Sequence, residues 1–243
     1  MDSLHLLSSL YLRTRKLNGY NMIQPIDSFK HKGLRKQLVE LLRKEGIQDE
    51  NVLNAINAVP RHFFMDSSFD ELAYQNKAFP IACGQTISHP YTVARQTELL
   101  NVQPMDKILE IGTGSGYQCS ILCQMKAKVF TIERFQDLYL KAKGVLTLLK
   151  FRPKMFCRDG FEGLPAFAPF DKIIVTCGAG NIPQKLVRQL KIGGFMIIPV
   201  GTEQEQTMYK ITRVSEDEIA TQTFGNYRFV PMLKERVTHR TLF

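Results

Sequence analysis

Apolar positions change their spacing along the chain. Leu34, Leu38, Leu41 and Leu42 recur at i, i+4, i+7 and i+8, the repeat of one helix face, and Gly46 closes the run. Val52, Leu53 and Ile56 predict a second, short helix ending before Pro60. Five β-type runs follow at 108–111, 129–132, 155–157, 172–176 and 195–200, separated by helical stretches that include 117–125, 135–149 and 183–190. Strand and helix in regular alternation predict a Rossmann-like α/β fold, a doubly wound, mostly parallel sheet with helices on both faces. Residues 207–230 read as two or three strands with no helix between them, an antiparallel end.

The expected division is an N-terminal extension over 1–30 and a single domain over 31–243. Within that domain, 31–80 form a helical N-terminal part, 81–202 the ligand-binding core and 203–243 the C-terminal strands. Residues 1–12 are leucine-rich and are followed by Arg13, Arg15 and Lys16, the reverse of the charge order in a secretory signal. The turn-like Asn18-Gly19-Tyr20-Asn21 sets this piece apart, as a short accessory helix or as an extension the fold does not need.

Composition narrows the class. With 243 residues, 44% hydrophobic and 23% charged, the chain is an ordinary globular one, which excludes collagen-like, disordered and disulfide-framework readings. No stretch approaches the roughly 18 apolar residues of a membrane span. Five scattered cysteines, an odd number, fit a reducing compartment, so a soluble cytoplasmic protein without a membrane partner is expected. The net charge of +9 raises the question of nucleic acid, and residues 13–44 carry nine Lys or Arg against Asp27 and Glu40. A solvated helix face accounts for that run, and no arginine–aromatic interleaving accompanies it, so no nucleic-acid partner is expected.

The informative chemistry is Glu110-Ile111-Gly112-Thr113-Gly114-Ser115-Gly116-Tyr117, a glycine loop between a strand and a helix. Its spacing is G-x-G-x-G rather than the G-x-G-x-x-G of dinucleotide enzymes. Glu110 would repel a pyrophosphate and welcome a cationic amino-acid end. Glu133 ends the second strand 21 residues after Gly112, placed for two ribose hydroxyls, and Asp159-Gly160 follow the third strand, placed for an adenine amino group. Together these favour S-adenosyl-L-methionine over NAD, with S-adenosyl-L-homocysteine as the product.

Beyond the loop, the chain resembles the protein-L-isoaspartate O-methyltransferase family from about Gly33 to about Lys234. The resemblance is carried by Val59-Pro60-Arg61-His62-Phe63-Phe64, Gly84-Gln85-Thr86-Ile87-Ser88 and the glycine loop, then by Asp171-Lys172-Ile173-Ile174-Val175-Thr176, Gly193-Gly194, Pro199-Val200-Gly201 and Arg228-Phe229-Val230-Pro231. The Gln-Thr-Ile-Ser segment is the most specific of these. The resemblance implies methyl transfer from S-adenosylmethionine to the α-carboxylate of L-isoaspartyl residues in damaged proteins and peptides. Ester collapse to a succinimide and its hydrolysis then need no enzyme. It also marks Ser88 as the residue matching the family's active-site serine. A monomer is expected, with a dimer as the alternative.

The expected cofactor contacts are Gln85, Thr86, Ile87, Ser88, Glu110, Gly112, Thr113, Gly114, Glu133, Arg134, Asp159 and Gly160, and the expected substrate contacts Thr86, Ile87, Ser88 and Val230. An isoaspartyl carboxylate is ionised at neutral pH and a sulfonium methyl is already activated, so alignment and water exclusion matter more than a strong base. Ser88 then serves as a hydroxyl that positions the acceptor. His89 reads as a solvent-facing loop residue. Cys119 and Cys123 read as packed thiols, with no metal expected. Arg61 either pairs with a carboxylate near the site or braces the turn after Pro60. The run Thr176-Cys177-Gly178-Ala179-Gly180-Asn181 departs from the family pattern, and its extra glycines are expected to loosen that loop. Two other functions compete: an S-adenosylmethionine-dependent O-methyltransferase acting on RNA or a small molecule, and a non-catalytic binding module that keeps the cofactor fold as a scaffold.

Overall fold

The computed structural model describes residues 13–17, 20–24, 26–234 and 237, so the reading of 1–12 lies outside the described residues. Strands β1 (Arg13–Leu17) and β2 (Tyr20–Gln24) pair antiparallel, with Leu17 opposite Tyr20. These strands follow the leucine-rich run rather than occupy it.

Helix α1 (Phe29–Lys44) starts at Ser28, whose hydroxyl accepts from the His31 backbone while His31 reaches back to the Ser28 N–H. Its buried stripe is His31, Arg35, Leu38, Val39 and Leu42, rotated from the leucine face read in the sequence, and Leu41 is 40% exposed. Arg35 forks onto both oxygens of Asp27 at 2.9 and 3.0 Å and donates to the Asn57 carbonyl. His31 stacks on His62 at 3.8 Å and bonds Asp70, and His62 bonds the Tyr74 hydroxyl. Burial holds His62 neutral, its pKa pushed down to about 4. The ligating atoms of Asp27, His31 and His62 lie within 4.8 Å of one another, yet each side chain is already committed to these partners.

Helix α2 (Glu50–Ala58) is capped by Asp49 and buries Val52, Leu53 and Ile56. The short pair β3 (Phe79–Pro80) and β4 (Thr86–Ile87) leads into α3 (Pro90–Leu100), a helix the sequence pattern does not announce. The core then alternates as read: β5 (Lys107–Ile111), α4 (Tyr117–Gln124), β6 (Lys128–Glu133), α5 (Gln136–Leu148), β7 (Lys154–Cys157) and β8 (Phe170–Val175). Helix α6 is only Gln184–Val187, because β9 (Leu190–Gly201) begins earlier than the apolar run suggests. Strands β10 (Gln206–Arg213) and β11 (Ile219–Tyr227) close the sheet.

The seven strands lie in the order β11-β10-β9-β8-β5-β6-β7, parallel from β9 to β7 and antiparallel through β10 and β11. Period-two alternation splits each inner strand between two cores. Ile108, Val129, Ile174 and Ile197 meet α1–α5 on one face, while Leu109, Ile111, Phe130, Ile132 and Ile173 meet α6 and the loop around Leu164 on the other. Both faces are covered, but unequally. Truncating a fully buried contact such as Leu42 or Ile56 to alanine would cost about 2–5 kcal/mol. β5 lies between β6 and β8, so the chain crosses over in opposite directions from its carboxyl end and leaves a crevice there.

Candidate active site

The crevice encloses about 850 Å³ of space with its open mouth included. Its floor is the glycine loop. Gly112 sits at φ +95°, and a Cβ there would lie 2.6 Å from Thr176 Oγ1, so only glycine fits. The Gly112 and Thr113 N–H groups both donate to the Ile132 carbonyl, which folds the loop back over β6. Glu133 completes the clamp: one carboxylate oxygen accepts from Gly114 N–H at 2.8 Å, the other from Arg134 and Phe135 N–H at 2.8 and 3.0 Å. Burial raises the Glu133 pKa, and those three donors oppose the rise.

Two of the residues read as cofactor contacts lie elsewhere. Glu110 does not line the crevice; it shares the face of β5 with Ile108, opposite Ile111, and is fully buried. There it accepts from Thr131 Oγ1 at 2.6 Å, and Thr131 also contacts Thr113 Oγ1 at 2.5 Å. Desolvation first, with the nearby Glu133 charge adding to it, pushes Glu110 up to about 8, so the side chain is neutral at pH 7 and supports the loop from behind. Asp159 turns inward to accept from Phe161 N–H at 2.8 Å, capping a short turn, and it is Gly160 that faces the crevice.

The remaining expected residues converge. Gln85, Thr86, Ile87 and Ser88 form one wall, Gly112, Thr113 and Gly114 the floor, and Glu133, Arg134, Gly160 and Val230 the far side. The pairing of β3 with β4 sets the first wall, opposing Pro80 to Thr86 and Phe79 to Ile87, so Ile87 is buried while Thr86 is exposed. Ser88 is half-buried, and among the described residues its hydroxyl has no hydrogen-bond partner. His89 is exposed and does not line the crevice. Arg61 braces rather than pairs: it donates to the carbonyls of Ala73 at 3.0 Å and Ser88 at 2.8 Å, and no described carboxylate bonds it. Cys119 is fully buried beside Cys123 and Glu110.

Several lining residues carry no local signal in the sequence. Gln96 and Gln118 reach in from α3 and α4, Thr176 and Cys177 from the end of β8, and Pro231, Met232 and Leu233 from the chain beyond β11. That last segment crosses the crevice as a strap. Gly178 N–H donates to the Val230 carbonyl at 2.8 Å, and its own carbonyl accepts from Met232 N–H at 2.7 Å. At the other end Val237 exchanges backbone bonds with Arg134 and Gln136. The 176–181 loop is thus not loosened by its glycines. Ala179 pairs with Pro199 and Gly201, and a Cβ on Gly178 would lie 2.9 Å from Gln206 Cδ.

A nucleoside with a thioether or sulfonium chain fits this donor set. Glu133 offers a carboxylate to a ribose, the loop leaves room for backbone approach, and Tyr117 Oη and Gln118 Oε1 are buried at the lining without partners.

Comparison with known proteins points the same way. The family model described as protein-L-isoaspartate(D-aspartate) O-methyltransferase matches residues 33–237. A protein-L-isoaspartate O-methyltransferase of Cytophaga hutchinsonii is 55% identical over 207 residues, covering 85% of this chain and 94% of the relative. One from Salinibacter ruber is 45% identical over 221 residues, covering 87% and 96%. Among solved structures, a protein-L-isoaspartate O-methyltransferase from Plasmodium falciparum in complex with S-adenosyl-L-homocysteine superposes with a TM-score of 0.73 at 27% identity, covering 82% of this chain and 98% of that one.

Proposed function

We propose, since the chain belongs to the protein-L-isoaspartate(D-aspartate) O-methyltransferase family, that it methylates the α-carboxylate of L-isoaspartyl residues in damaged proteins and so starts their repair. The cofactor, S-adenosylmethionine, supplies a methyl group already activated on sulfur, which forms a bond to a carboxylate oxygen as its bond to sulfur breaks and the electron pair returns to sulfur. The chain's own residues hold, orient and dry the reactants. Glu133 and the backbone of the glycine loop hold the nucleoside end. Ser88 donates its hydroxyl to the acceptor carboxylate, with Thr86 and Ile87 shaping the wall and Val230 facing it from the strap. No proton has to leave the acceptor, because an α-carboxyl with a pKa of about 3.5 is ionised at neutral pH.

The observation that carries the reading is the unpartnered Ser88 hydroxyl opening onto the same crevice as Glu133 and the glycine loop. Among the described residues no histidine or lysine lines that crevice, which suits an acceptor that needs alignment rather than a base. The five free cysteines support a reducing, cytoplasmic setting, and among the described residues no helix is long and apolar enough to cross a membrane.

The test is transfer of labelled methyl to three acceptors: an isoaspartyl peptide, the same peptide with normal aspartate, and bulk RNA. Label in the isoaspartyl peptide alone is the expected result. Label in RNA would replace the reading with the nucleic-acid one. Binding of S-adenosylhomocysteine without transfer to any of the three would leave a binding module.

A further inference from the structure

Arg61 is fully buried, and its charge has no acidic partner among the described residues. Its contacts are carbonyl oxygens, those of Ala73, Lys77 and Ser88, and the ring of Tyr117 at 4.8 Å from the guanidinium carbon. Nη1 and the Tyr117 hydroxyl face each other in favourable contact, and neither has a well-formed hydrogen bond to any other described group. Burying a charge without a counter-ion is costly, and carbonyl dipoles offset that only in part. Bracing Ser88 alone could be done by a neutral donor. What distinguishes this position is its neighbours: Ser88 and Tyr117 both line the crevice. Burial first, and the field of the guanidinium after it, disfavour protonation of His89.

We propose that Arg61 is a positioning residue for the methyl acceptor, a buried cation that draws an anionic carboxylate to Ser88 and leaves neutral analogues unselected. The inference rests on the reading of Ser88 as the acceptor end. As the oxygen–methyl bond forms, the negative charge of the acceptor and the positive charge of the sulfonium cancel. A fixed cation therefore stabilises the bound carboxylate more than the transition state. Its effect belongs in KM, not in kcat, and the neutral ester product is released from the charge that held its precursor.

The experiment compares wild type, Arg61→Gln and Arg61→Lys. It measures KM and kcat for an isoaspartyl peptide, and inhibition by the same peptide with its α-carboxylate converted to the primary amide. Glutamine places its amide nitrogen where Nε stands, so it keeps a donor for the Ala73 carbonyl but removes the charge and the bond to Ser88, whose loss alone would weaken carboxylate and amide alike. The expected result for Arg61→Gln is a KM raised about 10- to 100-fold with kcat not lowered, while inhibition by the amide changes less than about threefold. Arg61→Lys should retain most of the preference for carboxylate over amide. A parallel loss of carboxylate and amide binding, or an undiminished preference in Arg61→Gln, would overturn the inference and leave a structural brace. If Arg61→Gln does not fold, the wild type decides. A buried cation is poorly screened, so its carboxylate preference should persist between about 20 mM and about 0.5 M salt. A preference that collapses with salt belongs to surface cations and overturns the inference. Wild type that methylates no isoaspartyl peptide overturns the activity reading itself, a different failure from wild-type activity with an indifferent Arg61.

Discussion

Removing Glu133 should separate two jobs that its carboxylate does at once. A carboxylate has about four acceptor positions, and three are already taken by the N–H groups of Gly114, Arg134 and Phe135. A ribose diol therefore gains one charge-assisted bond outright and a second only by displacing a backbone donor such as Gly114. One bond to a charged acceptor is worth about 1.5–3 kcal/mol, so Glu133→Ala should weaken binding of S-adenosylhomocysteine roughly 10- to 150-fold. The free protein should change as well. Three donors lose their acceptor, while the cost of burying the carboxylate, visible in its raised pKa, is relieved. These oppose one another, and the net loss should be about 1–3 kcal/mol. The assay is calorimetric titration with S-adenosylhomocysteine beside thermal unfolding with and without it. At a ligand concentration of 100 Kd the wild type gains about 2.7 kcal/mol, and a variant binding 100-fold more weakly gains only about 0.4 kcal/mol. Unchanged affinity in Glu133→Ala would remove Glu133 from the site, and an unchanged melting temperature without ligand would refute its role as the clamp of the glycine loop.

Ser88→Ala should slow methyl transfer to an isoaspartyl peptide about 10- to 150-fold, the worth of one hydroxyl donor to a carboxylate, with cofactor affinity nearly unchanged. Full activity in initial-rate assays would move the positioning role to Thr86 or to backbone donors. Glu110→Gln should alter the pH dependence of stability. The folded-state pKa of about 8 lies above the unfolded 4.5, so this group's contribution is fully present below about pH 4.5 and is lost as pH rises to about 8. Denaturant unfolding should show the glutamine variant gaining on wild type by up to about 1.4 kcal/mol per pH unit across that window. A constant difference would mean that Glu110 titrates normally. Gly178→Ala should push Gln206 off Phe229 N–H and strain the strap, costing about 1–3 kcal/mol, or a melting temperature lower by roughly 2–10 °C. A melting curve that superimposes on wild type would show that the strap tolerates the displacement.

What the sequence displayed was whatever repeats locally. The five parallel strands stood out as apolar runs, and the glycine loop as a motif between a strand and a helix. Helix α3 stayed hidden because its interior side includes Gln96 and Thr97, polar residues satisfied by the Val175 and Val93 carbonyls, so no apolar period marks it. Strand parity decides the place of Glu110: two residues from Ile108, it shares that side chain's face, away from the crevice. The strap could not be foreseen, since its contacts join residues 230–237 to Gly178, Arg134 and Gln136 through backbone bonds that no side-chain pattern records. The burial of Arg61 is similar. Nothing near Pro60 reveals that the guanidinium ends against Ser88, 27 positions later.

The strap also gives the site a place in time. A ribosome delivers Gln85–Ser88 first, then the glycine loop, Glu133 and Thr176, and delivers Val230–Leu233 last of all the lining residues. Loop-closure entropy makes such distant pairings late to form, and here they are also late to be synthesised. The central sheet can assemble on the nascent chain from β5 to β8, but the crevice acquires its final wall only when residue 233 has left the exit tunnel. A chain halted before that point would be largely folded yet unable to enclose a ligand, so tight cofactor binding would begin after translation of the strap.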